Sequence, residues 1–237
     1  MGTVASIAGP VPEAALDEIR AAWGQLEERF SLYRDDSEAS RLARHELPLT
    51  RASAEMRDAY ALAQTWRADT EGAFSPQRPD GVIDLAGIVK SLAIAAAGQI
   101  IDAHGVSHWC VNFGGDLLAR TDETARPWVA GIVDPDDRSR LFTQFRLSAA
   151  HPALATSGIA ERGDHVWRIG TWDADEDPFV QVSVAGPDIV TADVLATAIL
   201  SGGRPTLELA TRRWPIEVIA VSRSGQVYAT AAFRAAA

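Results

Sequence analysis

The chain has 237 residues, with 22 Lys plus Arg against 32 Asp plus Glu and a formal net charge of −10. That length can bury a hydrophobic core without metal or disulfide staples. A hydrophobic fraction of 47% with 23% charged residues excludes disorder, collagen and coiled coil as descriptions of the whole. The acidic balance argues against nucleic acid or an anionic membrane as a partner. The longest apolar run, residues 92–97, is too short to cross a bilayer. A single cysteine, Cys110, excludes an internal disulfide and points to a reducing compartment. With no apolar leader after Met1, the expected location is cytoplasmic.

In chain order, a short strand over 3–8 ends at Gly9-Pro10. Pro12 then opens a helix to about residue 32, with Ala15, Ile19, Trp23, Leu26 and Phe30 on the helical period. Ser37 caps a short helix containing Leu42, and Ser53 caps a longer one carrying Met56, Tyr60, Ala63 and Trp66. Gly72 marks the end of that helix, followed by a loop to Pro76. A short apolar strand over 81–84 leads into a helix over 88–103, stopped by Gly105. Residues 106–119 read as two strands hinged at Gly114-Gly115, and further strands are expected over 128–133, 141–147, 153–157, 165–171 and 180–184. Thr191 caps a helix over 192–200, stopped by Gly202-Gly203, and a short helix follows over 205–211. Residues 216–221 and 226–230 form a hairpin. No internal repeat or flexible linker interrupts residues 1–237, so the expectation is a single α+β domain.

Four stretches carry possible chemistry. In Asp84-Leu-Ala-Gly-Ile-Val-Lys90 a strand ends at an acid and a helix begins. Orphan N–H groups and the small Ala86 and Gly87 suit a phosphate, with Lys90 one turn in. The same residues also make an ordinary helix start with a solvated lysine. Asp193 and Thr197, four apart on one helix face, form an oxygen-only pair of the kind Mg²⁺ accepts. They equally describe an acid favouring the helix dipole and a threonine bonding back to the preceding turn. Tyr33 offers a ring that can stack, or simply a packed aromatic beside the Ser37 cap. Thr156-Ser157-Gly158 offers hydroxyls at a strand end, or a plain turn. Cys110 falls in a strand pattern as a core residue. The five histidines show no metal-ligand spacing.

Taken together and in order, these pieces resemble the ApbE-like family, the Mg²⁺-dependent FAD:protein FMN transferases. The matching stretches are Met1-Gly-Thr3, Phe30-Ser-Leu-Tyr-Arg-Asp-Asp-Ser37, Gly72-Ala-Phe74, Asp84-Leu-Ala-Gly-Ile-Val-Lys90, Val111-Asn-Phe-Gly-Gly-Asp116, Thr156-Ser-Gly158 and Ala192-Asp-Val-Leu-Ala-Thr197. The resemblance implies mixed or antiparallel sheets flanked by helices, a T-fold-like architecture. It implies that Met1 and Tyr33 flank the flavin, that Ala73, Phe74 and Ser75 touch FAD largely through backbone, that Asp84 holds its nucleotide portion, and that Lys90 sits beside it. It implies Mg²⁺ held by Asp193, Thr197 and the carbonyls of Gly87 and Ala196, with Asp193 also assisting deprotonation. The implied reaction moves FMN from FAD onto a Thr or Ser of an acceptor protein, releasing AMP. The chain departs from the family pattern at Ser91, where a Gly is common, at Ala196, where a third acid sometimes stands, and at Arg168 within Trp167-Arg-Ile-Gly-Thr-Trp172, where a His and a following Asp-Pro are usual. These departures keep two alternatives open, an FAD pyrophosphatase giving FMN and AMP, and a non-catalytic FAD-binding relative.

Overall fold

A computed structural model describes residues 4–122, 124–159 and 177–235. Among these, seven strands form one sheet in the order β1-β2-β3-β6-β7-β8-β9, every neighbouring pair antiparallel. The strands are β1 (Ala5–Ala8), β2 (Trp109–Phe113), β3 (Asp116–Arg120), β6 (Ala153–Gly158), β7 (Phe179–Gly186), β8 (Glu217–Ser222) and β9 (Val227–Ala229). The strands β4 (Val129–Val133) and β5 (Leu141–Arg146) pair as a separate two-stranded ribbon. The helices are α1 (Glu13–Phe30), α2 (Glu38–Ala43), α3 (Ala54–Asp69), α4 (Ala86–Ala103), α5 (Ile189–Arg213) and the short α6 (Ala231–Ala235). This is the α+β arrangement, with antiparallel sheets and flanking helices, that the sequence leads one to expect.

Both faces of the large sheet are covered, and strand parity decides what goes where. Trp109, Val111 and Phe113 of β2, Ala153 and Ala155 of β6, Val182 and Val184 of β7, and Val218 and Ala220 of β8 face Ile94, Ala97 and Ile101 of α4 and Leu195 and Ile199 of α5. Their neighbours of opposite parity, Cys110, Ala119, Leu154, Ala185 and Ile219, meet Ala130, Ile132, Phe145, Leu147 and Phe233 from the ribbon and α6. A further apolar cluster joins Met56, Ala59 and Ala63 of α3 to Ile88 and Val89 of α4 and Val194 and Ala198 of α5. So α4 and the first part of α5 are sandwiched between the sheet and an outer helical layer, and those stretches are apolar nearly all round.

The burial of α4 also settles the meaning of its composition. Over its 18 residues the mean hydropathy is 1.4, which by length and apolarity alone would suit a membrane span, so the short run over 92–97 understated it. Its side chains instead fill clusters on both sides, as a core helix requires.

Local chemistry sets most boundaries as expected. The Ser37 hydroxyl accepts from the Ser40 N–H, and the Ser53 hydroxyl from the Met56 N–H. Two expectations are corrected. Residues 81–84 form no strand, only an isolated bridge between Gln77 and Ile83, because Gly81 turns with a φ of 84°. The cap of α5 is Asp188 rather than Thr191: the Asp188 carboxylate accepts from both the Thr191 N–H and its hydroxyl. The break expected at Gly202-Gly203 is present: Gly203, with φ 65° and ψ −152°, leaves helical geometry in conformational space open essentially to glycine, and a second helical segment follows through Pro205. The strand expected over 165–171 lies outside the described residues. The 3-10 turn Leu49–Arg51 and α6 are elements that periodicity did not announce, being too short to carry a period.

Candidate active site

The antiparallel register of β3 and β6, with Leu117 opposite Leu154 and Leu118 opposite Ala153, brings the start of one strand beside the end of the other. Asp116 has the helix-facing parity of Leu118, and Ser157 that of Ala153 and Ala155. Both therefore lie under the first turns of α4 and α5, which deliver Lys90, Asp193 and Thr197. The sequence-predicted trio of Lys90, Asp193 and Thr197 is thus assembled from two helices, and two strand residues complete it.

The group is buried. The Asp116 and Asp193 side chains are each 1% exposed and Lys90 is 14% exposed. Lys90 is ion-paired with Asp116, and its ammonium lies 3.7 Å from Asp193 Oδ1. A solvated lysine at a helix start is therefore excluded. The Thr156 N–H donates to Asp116 Oδ1 over 3.0 Å. One residue on, the Ser157 and Thr197 hydroxyls meet at 3.1 Å. Burial and the nearby Asp193 charge push the Asp116 carboxyl up to about 7, against the opposing pull of Lys90. Asp193 Oδ2 is buried and accepts no hydrogen bond among the described residues.

A buried carboxylate oxygen without a donor is costly unless something cationic completes it. Asp193 shares a helix face with Thr197, whose hydroxyl meets that of Ser157, and such oxygen ligands suit a hard divalent cation. Among the described residues no group of three or more His, Cys, Asp or Glu gathers to form a full protein cage. Ala196 is in the interior of α5, where regular helix geometry already engages one lone pair of its carbonyl.

The other expected residues are distributed around this group. Phe74 is buried, and a Cβ on Gly87 would sit 3.1 Å from its ring, so the 73–75 loop is pressed onto the start of α4. The Ala73 N–H donates to the Thr70 carbonyl and the Phe74 N–H to the Thr70 hydroxyl. Those two donors are thus spent internally, and any contact to a ligand from Ala73 or Phe74 falls to other atoms. The Ser75 hydroxyl closes a local turn with Gln77. Asp84 Oδ1 accepts from the Ala86 N–H, so it shapes the entry to α4. Tyr33 is 91% exposed, an open ring face rather than a packed aromatic. Met1 and Arg168 lie outside the described residues. Asp116 received no role from the sequence, and Ser157 only that of a hydroxyl at a strand end. The available signal for Asp116 was an acid sharing the parity of Leu118 at the start of a strand.

A family model described as the ApbE family matches residues 1–79 and 76–220. The chain belongs to the ApbE family. Among curated ApbE relatives, the FAD:protein FMN transferases of Salmonella typhimurium and Escherichia coli are each 24% identical over 161 residues. That alignment covers 64% of this chain and 46% of each relative, so the matched region spans about half their length. Solved ApbE structures share the fold. The flavin transferase ApbE from Vibrio cholerae superposes with a TM-score of 0.75 at 22% identity, covering 100% of this chain and 96% of that one. The apo Pseudomonas stutzeri flavinyl transferase gives 0.74 at 22% identity, covering 99% and 96%. The ApbE protein from Thermotoga maritima gives 0.78 at 18% identity, covering 99% and 98%.

Proposed function

We propose that this chain is a Mg²⁺-dependent FAD:protein FMN transferase acting on a Thr or Ser hydroxyl of an acceptor protein. The observation that carries the reading is the buried Asp193 carboxylate, one oxygen of which accepts no hydrogen bond among the described residues, on the helix face of Thr197 and 3.7 Å from the Lys90 ammonium. Family membership supplies the substrate. In the reaction, the acceptor oxygen forms a bond to the FMN phosphorus while the bond from that phosphorus to the bridging pyrophosphate oxygen breaks. The electron pair leaves with AMP, and the hydroxyl proton passes to Asp193. The contribution of the chain is positioning and charge stabilisation.

Asp193 and Thr197 by side chain, with the Gly87 and Ala196 carbonyls, would hold Mg²⁺, which when bound neutralises charge on the pyrophosphate oxygens. Lys90 adds a point charge near the phosphates without demanding bidentate geometry. Tyr33 offers its exposed ring to the flavin, with Met1 on the other side. The 73–75 loop and Asp84 address the rest of FAD. In this reading residues 1–237 act as one catalytic domain, in the cytoplasm, with FAD and an acceptor protein as partners.

The test is AMP release from FAD with Mg²⁺, with and without a flavin-acceptor domain. Release coupled to flavin attachment supports the transferase. Release without an acceptor, giving free FMN, makes the chain a pyrophosphatase. Tight FAD binding with no AMP in either case makes it a binding protein.

A further inference from the structure

Asp116 occupies a position that the proposed chemistry has not used. It is buried, it opens β3, and both of its carboxylate oxygens are committed. One accepts the Thr156 N–H and the other pairs with Lys90. The Lys90 ammonium therefore stands between two carboxylates but is drawn to Asp116, in direct contact, and away from Asp193, at 3.7 Å. The same carboxylate ties down β6 one residue before Ser157, whose hydroxyl meets Thr197. We infer that Asp116 is a positioning residue that holds the Lys90 ammonium off Asp193 and anchors the Ser157–Thr197 hydroxyl pair, leaving Asp193 Oδ2 available to a divalent cation. The inference rests on the proposed reading of Asp193 and Thr197 as cation ligands.

The physical argument is competition. In a water-poor site an ammonium and a divalent cation contend for the same carboxylate. If the charge on Asp116 is removed, Lys90 closes onto the nearby Asp193 carboxylate. Asn at position 116 preserves size and an oxygen to accept the Thr156 N–H, so β6 stays tied while the electrostatic hold on Lys90 is lost. Outer partners of this kind commonly change metal affinity by about 10- to 100-fold.

The experiment is a titration of the purified full chain with Mn²⁺ in place of Mg²⁺, free Mn²⁺ being read by electron paramagnetic resonance and folding by circular dichroism. Asp116→Asn should weaken Mn²⁺ binding by about 10-fold or more. In AMP release it should raise the Mg²⁺ concentration needed for half-maximal rate while kcat at saturating Mg²⁺ stays close to wild type. Lys90→Met combined with Asp116→Asn removes both charges, so no ammonium competes. That pair should bind Mn²⁺ within about threefold of wild type, and replacing a buried ion pair by neutral groups is commonly tolerated. It carries the test alone if Asp116→Asn does not fold. A folded Asp116→Asn protein with lowered thermal stability and wild-type Mn²⁺ affinity would make Asp116 merely structural and overturn the inference. So would a double variant whose Mn²⁺ affinity falls by about 10-fold or more. If the wild type itself takes up no Mn²⁺, the reading of the site falls, and this inference with it.

Discussion

Two buried groups on adjacent strands show how differently the two faces of the sheet are built. Cys110 on β2 faces the ribbon and α6, among Ala119, Phe145, Leu147 and Phe233. Burial pushes its thiol up to about 11, and it stays neutral at any ordinary pH. Asp116 on β3 faces the helices, pushed up by burial and a neighbouring carboxylate but paired with Lys90. One face is chiefly apolar and tied by polar contacts such as the Thr156–Ser183 hydroxyl pair and the Gln181 amide donating to the Val133 carbonyl. The other holds three ionisable side chains under two helix starts, at a cost met only if they pair with one another and with a ligand. The contrast separates stability from chemistry, and variants can probe each.

The largest effect is expected at the site. Asp193→Asn keeps shape and helix geometry but removes the charge, and should lower AMP release from FAD by roughly hundredfold or more. Flavin fluorescence should still report FAD binding. Equal rates in wild type and variant, or no effect of EDTA on wild type, would break the assignment of this face to metal chemistry. Lys90→Ala comes next. It strands two buried carboxylates, so denaturant unfolding should show a loss of about 3–5 kcal/mol, together with weaker FAD retention. That is more severe than a surface lysine would give, and a loss below about 0.5 kcal/mol would mean the ammonium is not structural here.

The opposite face should respond in stability only. Ile132→Ala, behind the ribbon, should cost about 2–5 kcal/mol while leaving FAD affinity unchanged at temperatures where the protein is folded. A parallel loss of FAD affinity would show that the two faces are coupled. Thr197→Val should slow AMP release more mildly than Asp193→Asn, because a neutral oxygen contributes less than a charged one; a larger loss than at Asp193 would reverse their ranking. The smallest effect concerns Cys110. A thiol raised in the folded state leaves stability intact below its unfolded value of 9.0 and removes it as pH climbs towards about 11. Wild type should therefore lose more stability across that interval than Cys110→Ala, measured as the difference between their urea midpoints.

Much of this architecture was readable from periodicity and capping residues. The helices around Ile19, Met56 and Ile94 and the strands at Val111, Ala155 and Val184 fall where their patterns put them, because each buries one regular face. The pattern failed where tertiary contacts decide. Residues 81–84 read as a strand, yet only Ile83 pairs, in a single bridge to Gln77. Asp188 and Thr191 are both capping types, and geometry alone chose between them. At the site, Lys90, Asp193 and Thr197 were visible as spacing, but the depth of Lys90 was not, since its partner Asp116 lies in a distant strand. Ion pairing across the chain leaves no period.

The bend at Gly203 has an implication for how this protein tolerates change. The turn of α5 at Gly202 passes so close to the 73–75 loop that a Cβ there would lie 2.9 Å from the Ala73 Cβ and 2.1 Å from the Thr206 hydroxyl. Gly203 meanwhile holds a backbone shape that other residues avoid. A saturating mutational library selected for folded protein should thus show two adjacent blank columns at 202 and 203, remote from the acids of the site. Neighbouring exposed positions, such as Glu208, should accept most substitutions.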